Sequence, residues 1–148
     1  LDAAALARAR ALARAVRDTA TLGDSLRDGR LPLPLDLLAR HRLGFSDIAL
    51  WEIHEAFAAQ VLANVAAIAD PDWVREKAGV EAAMGEFDWN RVNPNGGSVA
   101  IGHPFGATGA RDLSQAVKEL WALPVGSRGI VSICADGGQG TVALLERV

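Results

Sequence analysis

The sequence predicts an α/β fold, with a mixed sheet that is parallel where helices cross over and antiparallel at its end. Three observations predict it. Apolar residues recur at helical spacing after residue 54 and again after residue 109. Two short runs, residues 48–53 and 128–134, read as strands, and the second carries so few charges that it should be central. A glycine loop at residues 135–140 joins that run to a third at 141–148, a connection short enough for an antiparallel hairpin.

The elements follow in order. Residues 1–17 are built largely from Ala, Leu and Arg. Leu1, Ala5, Ala9, Leu12 and Val16 share one helical face, with Arg10, Arg14 and Arg17 opposite as a solvated row, so the local propensity is helical. Gly23, Gly29, Pro32 and Pro34 make residues 18–34 a loop. Residues 35–42 form a short helix that Gly44 is placed to stop. Ser46 and Asp47 turn the chain into the strand at 48–53. The helix at 55–69 has Phe57, Val61, Val65 and Ile68 as its apolar stripe. Asp70 and Pro71 can start another short helix, as N-cap and first residue. Residues 79–92 are irregular, 93–97 a turn, and 98–101 a short strand. A Gly-rich elbow at 102–109 leads into a helix carrying Leu113, Val117, Leu120 and Trp121.

The 148 residues are 50% apolar and 22% charged, enough for one domain with a real core. The net charge of −3 speaks against nucleic acid as a partner, which would require a basic face. Cys134 is the only cysteine, so no internal disulfide can form, and a reducing compartment, the cytoplasm, is expected. No apolar run is long enough to span a bilayer, and Arg8, Arg10, Arg14 and Arg17 interrupt any signal-peptide centre. The first residue is leucine rather than methionine, which fits a fragment.

Three polar clusters stand at strand–loop junctions, where open α/β sheets bind ligands: His54-Glu55, His103 and Cys134. Each alone could be structural: a hydrogen-bonded histidine, a small buried thiol. His54-Glu55 begins like a zinc motif, but Ala58 stands where the second histidine would be, so no metal site is expected. Gly102, Gly106 and Gly109 have the wrong spacing for a dinucleotide fingerprint, and no glycine is followed by lysine as in a phosphate loop. Acyl chemistry suits the set better. A thiol can move a proton to or from carbon, a histidine can activate a thiol or donate to an oxyanion, and glycine loops let backbone N–H groups approach closely.

Three blocks carry a family resemblance: HEAFAAQ over residues 54–60, NGGSVAIGHPFGATGAR over 95–111, and CADGGQG over 134–140. In sequence, order and spacing they resemble the C-terminal half of thiolases, the acyl-CoA C-acyltransferases. The likeness is good from Leu31 onward and weak before it. Many thiolases have asparagine where His54 stands; the HEAF form at 54–57, with HPFGATG at 103–109, looks most like the β-subunit of the fatty-acid oxidation trifunctional complex and its bacterial relatives.

The resemblance implies a thiolase-like C-terminal domain with a five-stranded mixed sheet in βαβαβαββ order. Its first strand would fall within residues 12–20, in conflict with their helical propensity. Residues 1–30 are then a start of undecided structure, open to a first strand and a loop, and residues 31–148 the domain. The implied activity is that of a 3-ketoacyl-CoA thiolase, Claisen-type thiolytic cleavage in fatty-acid β-oxidation. His103 would activate a nucleophilic cysteine supplied by an N-terminal half and hold an enolate oxygen. Cys134 would be the acid/base at the α-carbon, and His54 would orient a water in the same oxyanion hole. Phe57 would line the pantetheine tunnel. The backbone N–H of Asp136, with Gly137 beside it, would form a second oxyanion hole, although the Asp136 carboxylate is an unusual neighbour there. Substrates are acyl-CoA and CoA, with no cofactor; the complete protein would be a homo-oligomer, and this chain would be inactive alone. Two other readings stay open: a non-catalytic lipid-binding or scaffold member of the group, and a nucleotide-binding α/β module.

Overall fold

A computed structural model describes residues 16–21, 34–78, 84–135 and 139–148. Four strands form one sheet: β1 (Val16–Thr21), β2 (Leu50–Ile53), β3 (Arg128–Ala135) and β4 (Gln139–Glu146), in spatial order β1-β4-β3-β2. β2 and β3 run parallel, with Ile53 opposite Ser132, while β4 is antiparallel to both β3 and β1. The parallel pair, the terminal hairpin and the central place of β3 are as the sequence predicts. The first strand lies within or just beyond the window the resemblance implied. Val16 and Arg17 are therefore extended, not helical, and residues 18–21 of the predicted loop at 18–34 are strand as well, while residues 1–15 and 22–33 lie outside the described residues.

The helices are α1 (Pro34–His41), α2 (Ala58–Ala69), α3 (Pro71–Trp73, running on into a wider turn over Val74–Ala78), α4 (Ser98–Ile101) and α5 (Thr108–Trp121). The Asp70 carboxylate caps α3 by accepting from the N–H groups of Asp72 and Trp73, and proline fills its first position.

Alternation along the strands feeds two cores. Trp51, Ile130, Val142 and Leu144 face α1 and α2, whose Leu35, Leu38, Val61, Val65 and Ile68 are buried with them. Leu50, Val131, Ala143 and Leu145 face α5 through Ala116 and Leu120. Trp51 is 1% exposed and packs against Phe45 and Phe87 at ring-centroid distances of 5.8 and 5.0 Å. Burying a side chain of that size is worth about 2–3 kcal/mol.

Two expectations are corrected. The sheet has four strands among the described residues, not five, because residues 98–101 form the one-turn helix α4. A strand there could not be added to β2. The free side of β2 is already taken: Val92 bridges Trp51, the Asn93 N–H donates to Trp51 O, and the Asn93 side-chain amide pairs with both the N–H and the C=O of Ile53. The second correction is at α2, which begins at Ala58 rather than at 55. Phe57 is extended and 74% exposed, so it does not belong to the buried stripe. His54 and Glu55 are held instead by partners outside the helix.

Candidate active site

Parallel pairing places the C-terminal ends of β2 and β3 side by side. The His54 N–H continues the ladder by donating to Ser132 O at 2.9 Å. Cys134 lies two residues beyond Ser132, so residues 80 apart in sequence come into contact. His54 Nδ1 is 3.3 Å from Cys134 O and 3.5 Å from Cys134 Sγ. His54 is buried and Cys134 exposed.

His103 reaches the pair from the glycine elbow. Gly102 ends α4 with φ +93, a conformation that L side chains rarely adopt, and the chain then turns into α5. His103 Nδ1 sits 3.2 Å from His54 Nε2, with the two rings tilted and their centroids 4.4 Å apart. The structure therefore brings together three of the predicted residues, His54, His103 and Cys134. Phe57 is at the surface, and Asp136 and Gly137 lie outside the described residues. Phe105, 88% exposed, packs its ring on His103 at 4.7 Å.

Three further residues support the site, and of these sequence reasoning singled out only Glu55. Arg111 donates to Gly102 O at 2.6 Å, to Ser98 Oγ at 3.0 Å and to Asp112 Oδ1, which ties the elbow to the first turns of α5. Glu55 accepts from Asn93 Nδ2 at 2.6 Å and from the Val99 N–H at 2.9 Å, joining the end of β2 to the start of α4. Thr108, 2% exposed, lies under His103 with Oγ1 2.7 Å from its Nδ1. Arg111 and Thr108 were inside the quoted glycine block; only their spacing from His103 and Gly102 hinted at a role.

Gly97 explains one glycine of that block. A Cβ there would overlap the Glu55 carboxyl group and lie 2.6 Å from Asn93 Nδ2. Gly97→Ala is expected to lower stability by roughly 1–3 kcal/mol, read as a drop in melting temperature; an unchanged melt would show that Glu55 moves aside freely.

Beneath the site, three carboxyl groups meet between β2 and α5. Glu52 is 2% and Asp112 3% exposed. Glu52 Oε1, Asp112 Oδ2 and Glu119 Oε2 find no donor among the described residues. Burial first, and then the charges of Glu119 and Asp112, push the Glu52 carboxyl up to about 9, against the pull of Arg111. Glu52 is therefore a neutral acid at physiological pH. The described residues hold no group of three His, Cys, Asp or Glu arranged for a metal ion. Nor is any helix among them long and apolar enough to cross a membrane.

Comparison with known proteins places this geometry. The profile of the thiolase C-terminal domain matches residues 5–147. A 3-ketoacyl-CoA thiolase of Yersinia pestis is 45% identical over 115 residues, 78% of this chain and 26% of that protein. The chain thus spans about a quarter of the length of the curated relatives it matches. The peroxisomal 3-ketoacyl-CoA thiolase of Saccharomyces cerevisiae, described as five-layered and built from two core domains of identical topology, superposes with a TM-score of 0.61 at 32% identity, over 90% of this chain and 34% of that one. The Acat5 thiolase of Ascaris suum, solved in complex with coenzyme A, gives 0.60 at 30% identity, over 90% and 30%. With its profile matched almost end to end and its three sequence blocks meeting at one site, the chain belongs to the thiolase family, as a C-terminal domain.

Proposed function

We propose that this domain supplies the proton-handling half of a 3-ketoacyl-CoA thiolase that cleaves 3-ketoacyl-CoA with CoA in fatty-acid β-oxidation. The observation that carries the reading is the meeting of His54, His103 and Cys134 within 3.5 Å steps. A scaffold protein would have no need of that arrangement, and a nucleotide site would have no use for the thiol.

The nucleophilic cysteine comes from the N-terminal half. His103 takes its proton, the thiolate attacks the 3-keto carbon, and the bond between the α- and β-carbons breaks. The electron pair passes to the acetyl-CoA enolate, whose oxygen His103 holds, while the backbone N–H of Asp136, with Gly137 beside it, forms the second oxyanion hole. The Cys134 thiol then gives its proton to the α-carbon. In the second half-reaction the Cys134 thiolate takes the proton of CoA, and the CoA thiolate attacks the acyl-enzyme. The nucleophilic cysteine leaves and recovers its proton from His103. Phe57, exposed beside the start of α2, is suited to line the pantetheine path. We assign His54 the joining of Cys134 to His103 rather than the orienting of a water, since both its ring nitrogens meet those residues. CoA thioesters are the substrates, no cofactor enters, and the assembled protein is a cytoplasmic homo-oligomer.

Acetoacetyl-CoA cleavage by free CoA tests the reading. The 148-residue chain should show no turnover, because its one cysteine is the acid/base. Joined to the N-terminal part of the Yersinia pestis relative, it should turn over. Turnover by the chain alone, abolished in Cys134→Ser, would make Cys134 the nucleophile and overturn the assignment.

A further inference from the structure

Two groups crowd Nδ1 of His103: Thr108 Oγ1 at 2.7 Å and His54 Nε2 at 3.2 Å. The Thr108 hydroxyl donates its proton to Pro104 O, four residues back, at 3.2 Å. A hydroxyl has one proton. With that proton on the carbonyl, Oγ1 offers His103 only lone pairs, so Nδ1 of His103 must carry a proton. The assignment runs on from there. An Nδ1–H on His103 faces Nε2 of His54, which is then the acceptor. A neutral His54 so arranged carries its proton on Nδ1, where Cys134 O lies at 3.3 Å and Sγ at 3.5 Å. The opposite assignment aims the Thr108 O–H and the His54 Nε2–H at a single lone pair of His103. It also leaves Cys134 O without the imidazole donor, whereas Pro104 O accepts the N–H groups of Ala107 and Thr108 in either assignment.

We propose that Thr108 is a positioning residue: its hydroxyl holds His103 as the Nδ1–H tautomer, with Nε2 bare, and through His103 holds His54 as the Nδ1–H tautomer. Among the described residues Nε2 of His103 meets no hydrogen-bonding group, so it is the nitrogen left to take up a proton. An imidazole in water favours the other tautomer, so the preference has to be imposed. Its kinetic consequence rests on the base role given to His103 above; the tautomer itself is a property of this chain and is measured without that role.

The chain has three histidines, so two-bond ¹⁵N–¹H correlation spectra of ¹⁵N-histidine protein are assigned by replacing one at a time. The wild type and Thr108→Ser should show His103 and His54 as Nδ1–H tautomers. Thr108→Val should move His103 to the Nε2–H form or to a mixture. Nε2–H in the wild type, or Nδ1–H persisting in Thr108→Val, overturns the proposal. Thr108→Ala serves if the valine variant does not melt cooperatively, and the wild-type spectrum is decisive by itself. In the joined enzyme, Thr108→Val should slow acyl-enzyme formation roughly tenfold or more with KM unchanged, and Thr108→Ser should restore the rate. A lost tautomer with an intact rate would leave the positioning of His103 standing and overturn its role as base.

Discussion

Replacing His103 by alanine slows acyl-enzyme formation roughly 100-fold or more in an enzyme joined from this domain and a matching N-terminal half. The size follows from two duties lost at once: removal of the nucleophile's proton and a hydrogen bond to the enolate oxygen. Cys134→Ala has a different signature. The nucleophile should still be acylated by a simple acyl-CoA, because no carbon-bound proton moves in that reaction. Exchange of the acetyl-CoA α-hydrogens with solvent deuterium should stop. Rapid quench of the acyl-enzyme and mass spectrometry of acetyl-CoA in deuterium oxide separate the two steps. Normal exchange in Cys134→Ala would assign the carbon proton to another group.

The second large effect is on stability. Glu52→Gln should make the domain more stable at pH 8, by on the order of 3 kcal/mol and roughly 5–10 °C in melting temperature. The Glu52 carboxyl is raised from 4.5 to about 9 by burial and by its acidic neighbours. Below pH 4.5 it is protonated whether the chain is folded or not. Between that pH and about 9 only the folded state keeps the proton, so stability falls as pH rises. Glutamine has no such dependence, and its amide can donate to Glu119 Oε2 or Asp112 Oδ2, which find no donor among the described residues. The gain should shrink toward pH 4.5. Parallel melting-temperature curves for the two proteins across that range would show that Glu52 is ionised in the fold.

The β2–β3 pairing, the terminal hairpin and α5 were legible because period and composition agree with tertiary context there. Three of the predicted site residues were legible because each ends a strand or opens a helix in a recognisable block. Residues 98–101 misled because Ser-Val-Ala-Ile alternates like a strand over only four positions. What decides against a strand is that Asn93 occupies the edge it would need, 40 residues along the chain from the Ile53 it pairs with. The buried carboxyl cluster was equally hidden: Glu52, Asp112 and Glu119 look like ordinary surface charges until β2 and α5 are packed face to face. Thr108 was overlooked because a hydroxyl in a glycine loop reads as a turn residue, and its partner is fixed only once α5 has begun.

The separation of the site's contacts along the chain has a consequence for folding order. His103 and Thr108 are five residues apart and meet as soon as α5 nucleates. His54 reaches His103 across 49 residues and Cys134 across 80. Closing the longer loops costs more entropy and comes later, with the parallel pairing of β2 and β3. The elbow is thus an early structure waiting for its sheet. In hydrogen exchange, the amides of α5 should outlast the His54 amide on the β2 edge. Loss of that edge would uncouple the imidazoles while the helices stay intact, so the chemistry would fail before the fold does.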